Sequence, residues 1–147
     1  MKILFISLFL FCFSSRQTET VADKIIAYSL QNMDKQVDRG ECWDLAAGAL
    51  KEAGAKWNAP FDFGTKIDRK KKSLQPADIL QFTNAKFQGK TYSSFFPQHT
   101  AIVYKVNKSF TTVFHQNYNG KRQVDTLTIN LADLKSGKVD AYRPVAK

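Results

Sequence analysis

Cys42, His99 and His115 are the residues of this chain most able to do covalent chemistry. A thiol is a nucleophile once ionised, and an imidazole is the side chain whose pKa suits it to take the proton. Cys42 stands in Gly40-Glu41-Cys42-Trp43-Asp44-Leu45-Ala46-Ala47. After it, Leu45, Ala46, Ala49, Leu50 and Ala53 recur at helical spacing and Gly54 is a natural stop. The spacing places the thiol in the first turn of a helix, at the positive end of the backbone dipole, which favours thiolate. The competing reading of a lone cysteine is a small buried thiol. Glu41 opposes activation, because a neighbouring carboxylate raises a thiol's pKa.

His99 and His115 are the only histidines. They bracket two β-rich runs, 99–106 and 111–115, joined by Asn107-Lys108-Ser109, a hairpin signal. Antiparallel pairing would bring both imidazoles to one end of the sheet. A nucleophile needs a base, and the base needs a third group to orient it. The parts here are Cys42 as nucleophile, His99 as base, and His115 or Asn117 as orienting group. Each histidine also has an ordinary reading as a hydrogen-bonded structural imidazole. Zinc would compete for Cys42, His99 and His115, but the chain has no close-spaced ligand pair. We expect neither metal nor cofactor.

The elements that must position these residues come in two blocks. A helix is expected over 20–33, where Val21, Ile25, Ile26, Leu30 and Met33 mark one face, and a second from Cys42 to about Ala53. Residues 54–75 read as a long loop in which Trp57, Phe61 and Phe63 supply aromatic surface; long ordered loops often line binding sites. Strands follow: 79–82, a loop over 84–97, the hairpin, a strand over 123–129, a short helix over 131–134 capped by Asn130, and a closing strand over 139–145. Helices first and an antiparallel meander second describe an α+β domain, with N-terminal helices packed on a central antiparallel β-sheet.

The chain has 147 residues, enough for one domain with one core. Met1-Lys2, an apolar run from Ile3 to Phe13 and then Ser14-Ser15 describe a secretory signal peptide over 1–15, too short to span a membrane. Residues 16–20 read as a flexible N-terminus and 21–147 as the domain. The expected location is secreted or periplasmic. Cys12 raises lipoprotein anchoring, but Phe9-Leu10-Phe11 before it lack the small residues such sites need. With the leader gone, Cys42 has no disulfide partner, which in a secreted protein marks a reactive or intermolecular thiol. The net charge of +9 suits an anionic polymer such as a cell wall. Arg69-Lys70-Lys71-Lys72 reads as a solvated loop, and no nucleic-acid motif accompanies it.

Four segments together resemble the CHAP amidase/peptidase family of the NlpC-type, papain-like superfamily. They are the cysteine that opens a helix, Pro76-Ala77-Asp78-Ile79-Leu80-Gln81-Phe82, His99-Thr100-Ala101-Ile102-Val103-Tyr104, and His115-Gln116-Asn117-Tyr118-Asn119-Gly120. The resemblance covers roughly Val37 to Arg143. It implies Cys42 as nucleophile, His99 as general base, and the third position at His115 or Asn117. His115 stands where the family has an acid, and Glu41 where it has Gln. The oxyanion would be met by the Cys42 N–H, with Gln36 offering a side-chain amide and Glu41, Trp43 and Trp57 lining the substrate site. The implied activity is peptidoglycan hydrolysis through a thioester, by an N-acetylmuramoyl-L-alanine amidase or an endopeptidase acting on stem peptides. An inhibitor or immunity protein is a possible partner. The alternative is a non-catalytic, secreted wall-binding module on the same scaffold. Transglutaminase-like acyl transfer would use the same parts.

Overall fold

The computed structural model describes residues 18–58 and 60–147. The expected signal peptide and Cys12 lie outside the described residues. Thr20, read as the end of a flexible segment, is instead a fixed helix cap. Its hydroxyl oxygen accepts from Asp23 N–H at 3.1 Å, and its own N–H donates to the Asp23 carboxylate at 2.9 Å. From it runs α1 (Val21–Gln31), and α2 (Cys42–Glu52) follows. The two helices pack together closely at Gly48, where any Cβ would strike the Tyr28 hydroxyl.

The rest is sheet. The strands are β1 (Ala55–Lys56), β2 (Thr65–Ile67), β3 (Ile79–Gln88), β4 (Ser93–Asn107), β5 (Phe110–His115), β6 (Asp125–Asn130), β7 (Leu134–Arg143) and β8 (Val145–Ala146). Six of them form one antiparallel sheet in the order β2-β7-β3-β4-β5-β6, and β1 pairs with β8 apart from it. Residues 84–97, expected as a loop, are mostly strand. β3 and β4 stay paired from Ile79↔Ile102 out to Gln88↔Ser93. The extension holds because Phe87 and Phe96 are buried with Phe82, their rings 4.9 to 6.1 Å apart. Each buried phenylalanine contributes about 1.5–3 kcal/mol. β7 likewise starts earlier than expected. Gly137, at φ 76°, lets it pass a bulge in β3, pressed against the Asn84 carbonyl where no Cβ fits.

The sheet carries a core on each face. On one, Ile79, Ile102 and Phe114 pack under the helices with Ile25, Leu45, Ala49 and Leu50. On the other, Leu80, Phe82, Phe87, Phe96, Ala101, Val103 and Val113 pack together, joined by Tyr118 and Leu127. The α+β architecture is the expected one. Among the described residues no helix is long and apolar enough to cross a membrane.

Candidate active site

The thiol is placed by the turn before it. Gly40 takes φ 84°, a conformation open to glycine, and its N–H closes the turn onto the Val37 carbonyl at 3.0 Å. Gln116, fully buried, clamps this turn to the end of β5. Its oxygen accepts from Val37 N–H at 3.1 Å, and its NH2 donates to the carbonyls of Val37 and Glu41 at 3.0 and 2.7 Å. The next residue, Cys42, is the first of α2. Asp44, buried in the same turn, accepts from Glu41 N–H at 3.1 Å and from Arg39 at 2.7 Å. In the first turn the Asp44 N–H donates to the Glu41 carbonyl at 3.0 Å and the Trp43 N–H faces the thiol, which leaves the Cys42 N–H to meet an oxyanion.

The half-buried Cys42 thiol faces Thr100. Burial raises its pKa; the Thr100 N–H, the Trp43 N–H and the Thr100 hydroxyl pull it back, and Glu41 adds a smaller push upward. Thr100 is itself fixed, donating its hydroxyl to Gln81 Oε1 at 2.6 Å, and Gln81 donates its NH2 to the Phe82 carbonyl at 3.2 Å. Both side chains are buried. Sequence reasoning did not single out Thr100, Gln81 or Gln116 as site residues. The signal that could have found them is alternation: each is a polar residue at an inward position.

Strand register places the imidazoles. Thr100 pairs with Gln81 on the helix face, in step with Ile79 and Ile102. His99 pairs with Phe82 and shares the opposite face, its ring 5.4 Å from Phe96 and 5.9 Å from Tyr118. His115, two residues past Val113, joins it there with ring centroids 5.5 Å apart, edge to face. Thiol and imidazoles therefore meet β4 at consecutive residues but from opposite faces, and at its middle rather than at the sheet end expected, because β4 begins at Ser93. His99 Nε2 and His115 Nδ1 are buried with no hydrogen-bond partner. His99 is pushed down to about 3, by burial first and then by His115, and burial also lowers His115. Among the described residues no carboxylate bonds to either ring.

Other expected residues lie elsewhere. Asn117 does not orient His99; its NH2 donates to Glu41 Oε2 at 2.6 Å, and Arg122 reaches the other Glu41 oxygen at 3.4 Å. Gln36 is exposed and spends its amide on the Asp38 carbonyl at 3.1 Å, within its own loop, so it offers no oxyanion contact. Trp43 and Trp57 pack against each other at 5.5 Å. They line a cleft on the flank of α2 whose walls include neither Cys42 nor a histidine. Among the described residues no group of three His, Cys, Asp or Glu is arranged to hold a metal ion.

Comparison with known proteins agrees with this geometry at the level of fold. The chain is 29% identical over 143 residues to Altered inheritance of mitochondria protein 3 of Debaryomyces hansenii, matching 82% of this chain but 15% of that much longer protein. The crystal structure of Ly7917 superposes with a TM-score of 0.53 at 16% identity, over 82% of this chain and 62% of that one. Ly7917 with the hydrolyzing product of MDP gives a TM-score of 0.57 at 16% identity, over 84% and 63%. The papain-like cysteine-proteinase fold implied by the sequence motifs is thus present, and these matches support it without being specific to the CHAP family. Residues 15–147 match the model of the AIM3/BBC1 cysteine proteinase-fold domain, and the chain belongs to that family.

Proposed function

We propose that this domain is a cysteine-dependent amide hydrolase. The observation that carries the reading is the Cys42 thiol at the start of α2, against the N–H and hydroxyl of the residue that follows His99. At rest the thiol and the imidazole are both neutral, since burial raises one and lowers the other. Proton transfer then accompanies attack rather than preceding it. Nε2 of His99 is sealed in the second core and the ring lies across β4 from the thiol, so the reading requires a rearrangement on substrate binding that carries Nδ1 to Sγ. Sγ bonds to the amide carbon, and the oxyanion is met by the Cys42 N–H at the start of α2. Collapse breaks the C–N bond, the leaving amine takes the proton from His99, and water hydrolyses the thioester with His99 again as base.

The substrate we propose is peptidoglycan, cut at the glycan–peptide junction or within the stem peptide, by an enzyme acting outside the cytoplasm. The net charge of +9 supports an anionic polymer, and the structural relative Ly7917 was solved with a product of MDP hydrolysis. The family match begins at residue 15, where the apolar leader ends.

The second reading is a non-catalytic binding module. The specific observation in its favour is that neither imidazole has a carboxylate or amide partner, while Asn117 is spent on Glu41. Amine release separates the two. New amines released from purified wall by the unmodified chain, and none released by Cys42→Ala, support the hydrolase. No release by the unmodified chain overturns it.

A further inference from the structure

The flank of α2 away from β4 holds a cleft of about 450 Å³. Its aromatic walls are Trp43, Trp57 and Tyr28, all half-buried, with the two indoles tilted at 59°. Its rim carries Asp38 and Glu52, and both charges act on the Tyr28 hydroxyl, whose pKa is raised by burial first and then by Glu52 and Asp38. Two carboxylates thus converge on the polar end of an aromatic cleft. Asp44, also in the wall, is neutralised by Arg39. Lys51 offsets one of the two remaining acids and leaves the cleft net negative. That is the reverse of the chain as a whole, at +9. An acidic pocket on a basic protein repels the anionic ligands that the rest of the surface attracts.

Aromatic faces attract cations, and the attraction grows as water is removed. A long aliphatic stem ending in a charge fits such a site, with methylenes on the rings and the head among the acids. We propose that this cleft binds a lysine-type ammonium side chain presented by a peptide, its stem lying over the packed pair Trp43 and Trp57 and its charge beside Tyr28, Asp38 and Glu52. A neutral sugar would stack on the rings and donate its hydroxyls to the carboxylates, but it would neither gain from their net charge nor lose affinity with salt. The cleft adjoins the first turn of α2, so a peptide seated there passes close to Cys42. Binding itself needs no chemistry at the thiol, and the inference stands apart from the hydrolase reading.

The chain has two tryptophans and both line the cleft, so indole fluorescence reports this site directly. The full chain carrying Cys42→Ala, which removes turnover, is titrated with acetyl-Ala-Lys-Ala-amide and with the same peptide acetylated on the lysine. We expect a saturable change, at least about fivefold tighter for the charged peptide and weakened by salt. In the double variant Asp38→Asn, Glu52→Gln, the charged peptide should bind no better than the acetylated one, whose affinity stays as before. Trp57→Ala should abolish both, with circular dichroism unchanged. Equal affinity for the two peptides overturns the proposal, as does no response at millimolar peptide or a double variant that keeps the preference. Amine release from purified wall by the unmodified chain tests the hydrolase reading separately.

Discussion

Asn117 and Glu41, 76 positions apart, are joined by a 2.6 Å hydrogen bond from Nδ2 to Oε2. The bond settles what Asn117 does at rest: it steadies the residue before the nucleophile and leaves His99 without an orienting amide. Asn117→Ala should therefore lower turnover less than about threefold, since it removes no contact to the imidazole. A hundredfold loss with unchanged Cys42 alkylation would show that Asn117 swings to His99 when substrate binds. Glu41→Gln removes a charge that raises the thiol's pKa. A lower thiol pKa leaves more thiolate, so alkylation at pH 7.5 should run faster, by about twofold.

The same contact shows where the sequence is legible and where it is not. Helix starts are written locally. Thr20 with Asp23 and Glu41 with Asp44 lie within one turn, and both helices begin where spacing and caps place them. The hairpin at Asn107-Lys108-Ser109 is local too. The extension of β3 and β4 was masked by Gly89 and by aromatics that looked like loop surface; Phe87 and Phe96 become strand residues because they face one core. Gly137 in Lys135-Ser136-Gly137-Lys138 signals a turn, yet serves a bulge that depends on Asn84. At the site, Cys42 and the paired imidazoles follow from chain order and register. Which partner Asn117 takes, and that Thr100 rather than His99 bonds the thiol, depend on contacts across 76 and 58 positions that no local pattern encodes.

Thr100 holds the thiol and is held by Gln81. Thr100→Val removes the hydroxyl from both. The thiol keeps the Thr100 N–H, the larger of that residue's two effects, and loses only the smaller one from the hydroxyl, so its pH midpoint should rise slightly and alkylation at pH 7.5 should slow by less than about threefold. Gln81 Oε1, buried, loses its donor, which costs about 1–3 kcal/mol of stability. Thr100→Ser restores the hydroxyl and should recover the thiol midpoint even where lost packing lowers stability. A midpoint that does not move in the valine variant would limit Thr100 to packing.

Asp78 opens the turn into β3, with its side chain 1% exposed. Arg143 grips it with two bonds of 2.9 Å from β7, and Gln75 N–H adds a third at 2.8 Å. Arg143→Met strands a buried carboxylate and should cost about 3–5 kcal/mol in urea unfolding. Adding Asp78→Asn should recover a large part of that loss, because the penalty comes from the unpaired charge. If the double variant is no more stable than Arg143→Met alone, packing of the arginine stem carries the contribution instead.

His99 links the site to acid stability. Folded, it titrates near 3, because burial and His115 oppose its charge; unfolded, it returns to the ordinary value of 6.5. Between those two values the unfolded chain holds a proton that the folded one does not. Stability is therefore complete above 6.5 and lost as pH falls toward 3, at about 1.4 kcal/mol per pH unit for one full proton. From pH 7 to pH 5 this histidine alone should cost about 2 kcal/mol, and His115, lowered by burial, adds in the same direction. Carboxylates held low by their partners, such as Asp125 and Asp140, act below this window. His99→Phe, packed against Phe82 and Phe96, should fold and lose roughly half the slope in urea midpoints measured at pH 7, 6 and 5. An unchanged slope would show that His99 takes up its proton in the folded chain as readily as in the unfolded one. The same burial shapes the rate profile: His99 stays neutral and able to accept a proton down to pH 5, so hydrolysis should show no acid limb near 6.5. An acid limb there would mean that substrate or motion opens the imidazole to water before the chemical step.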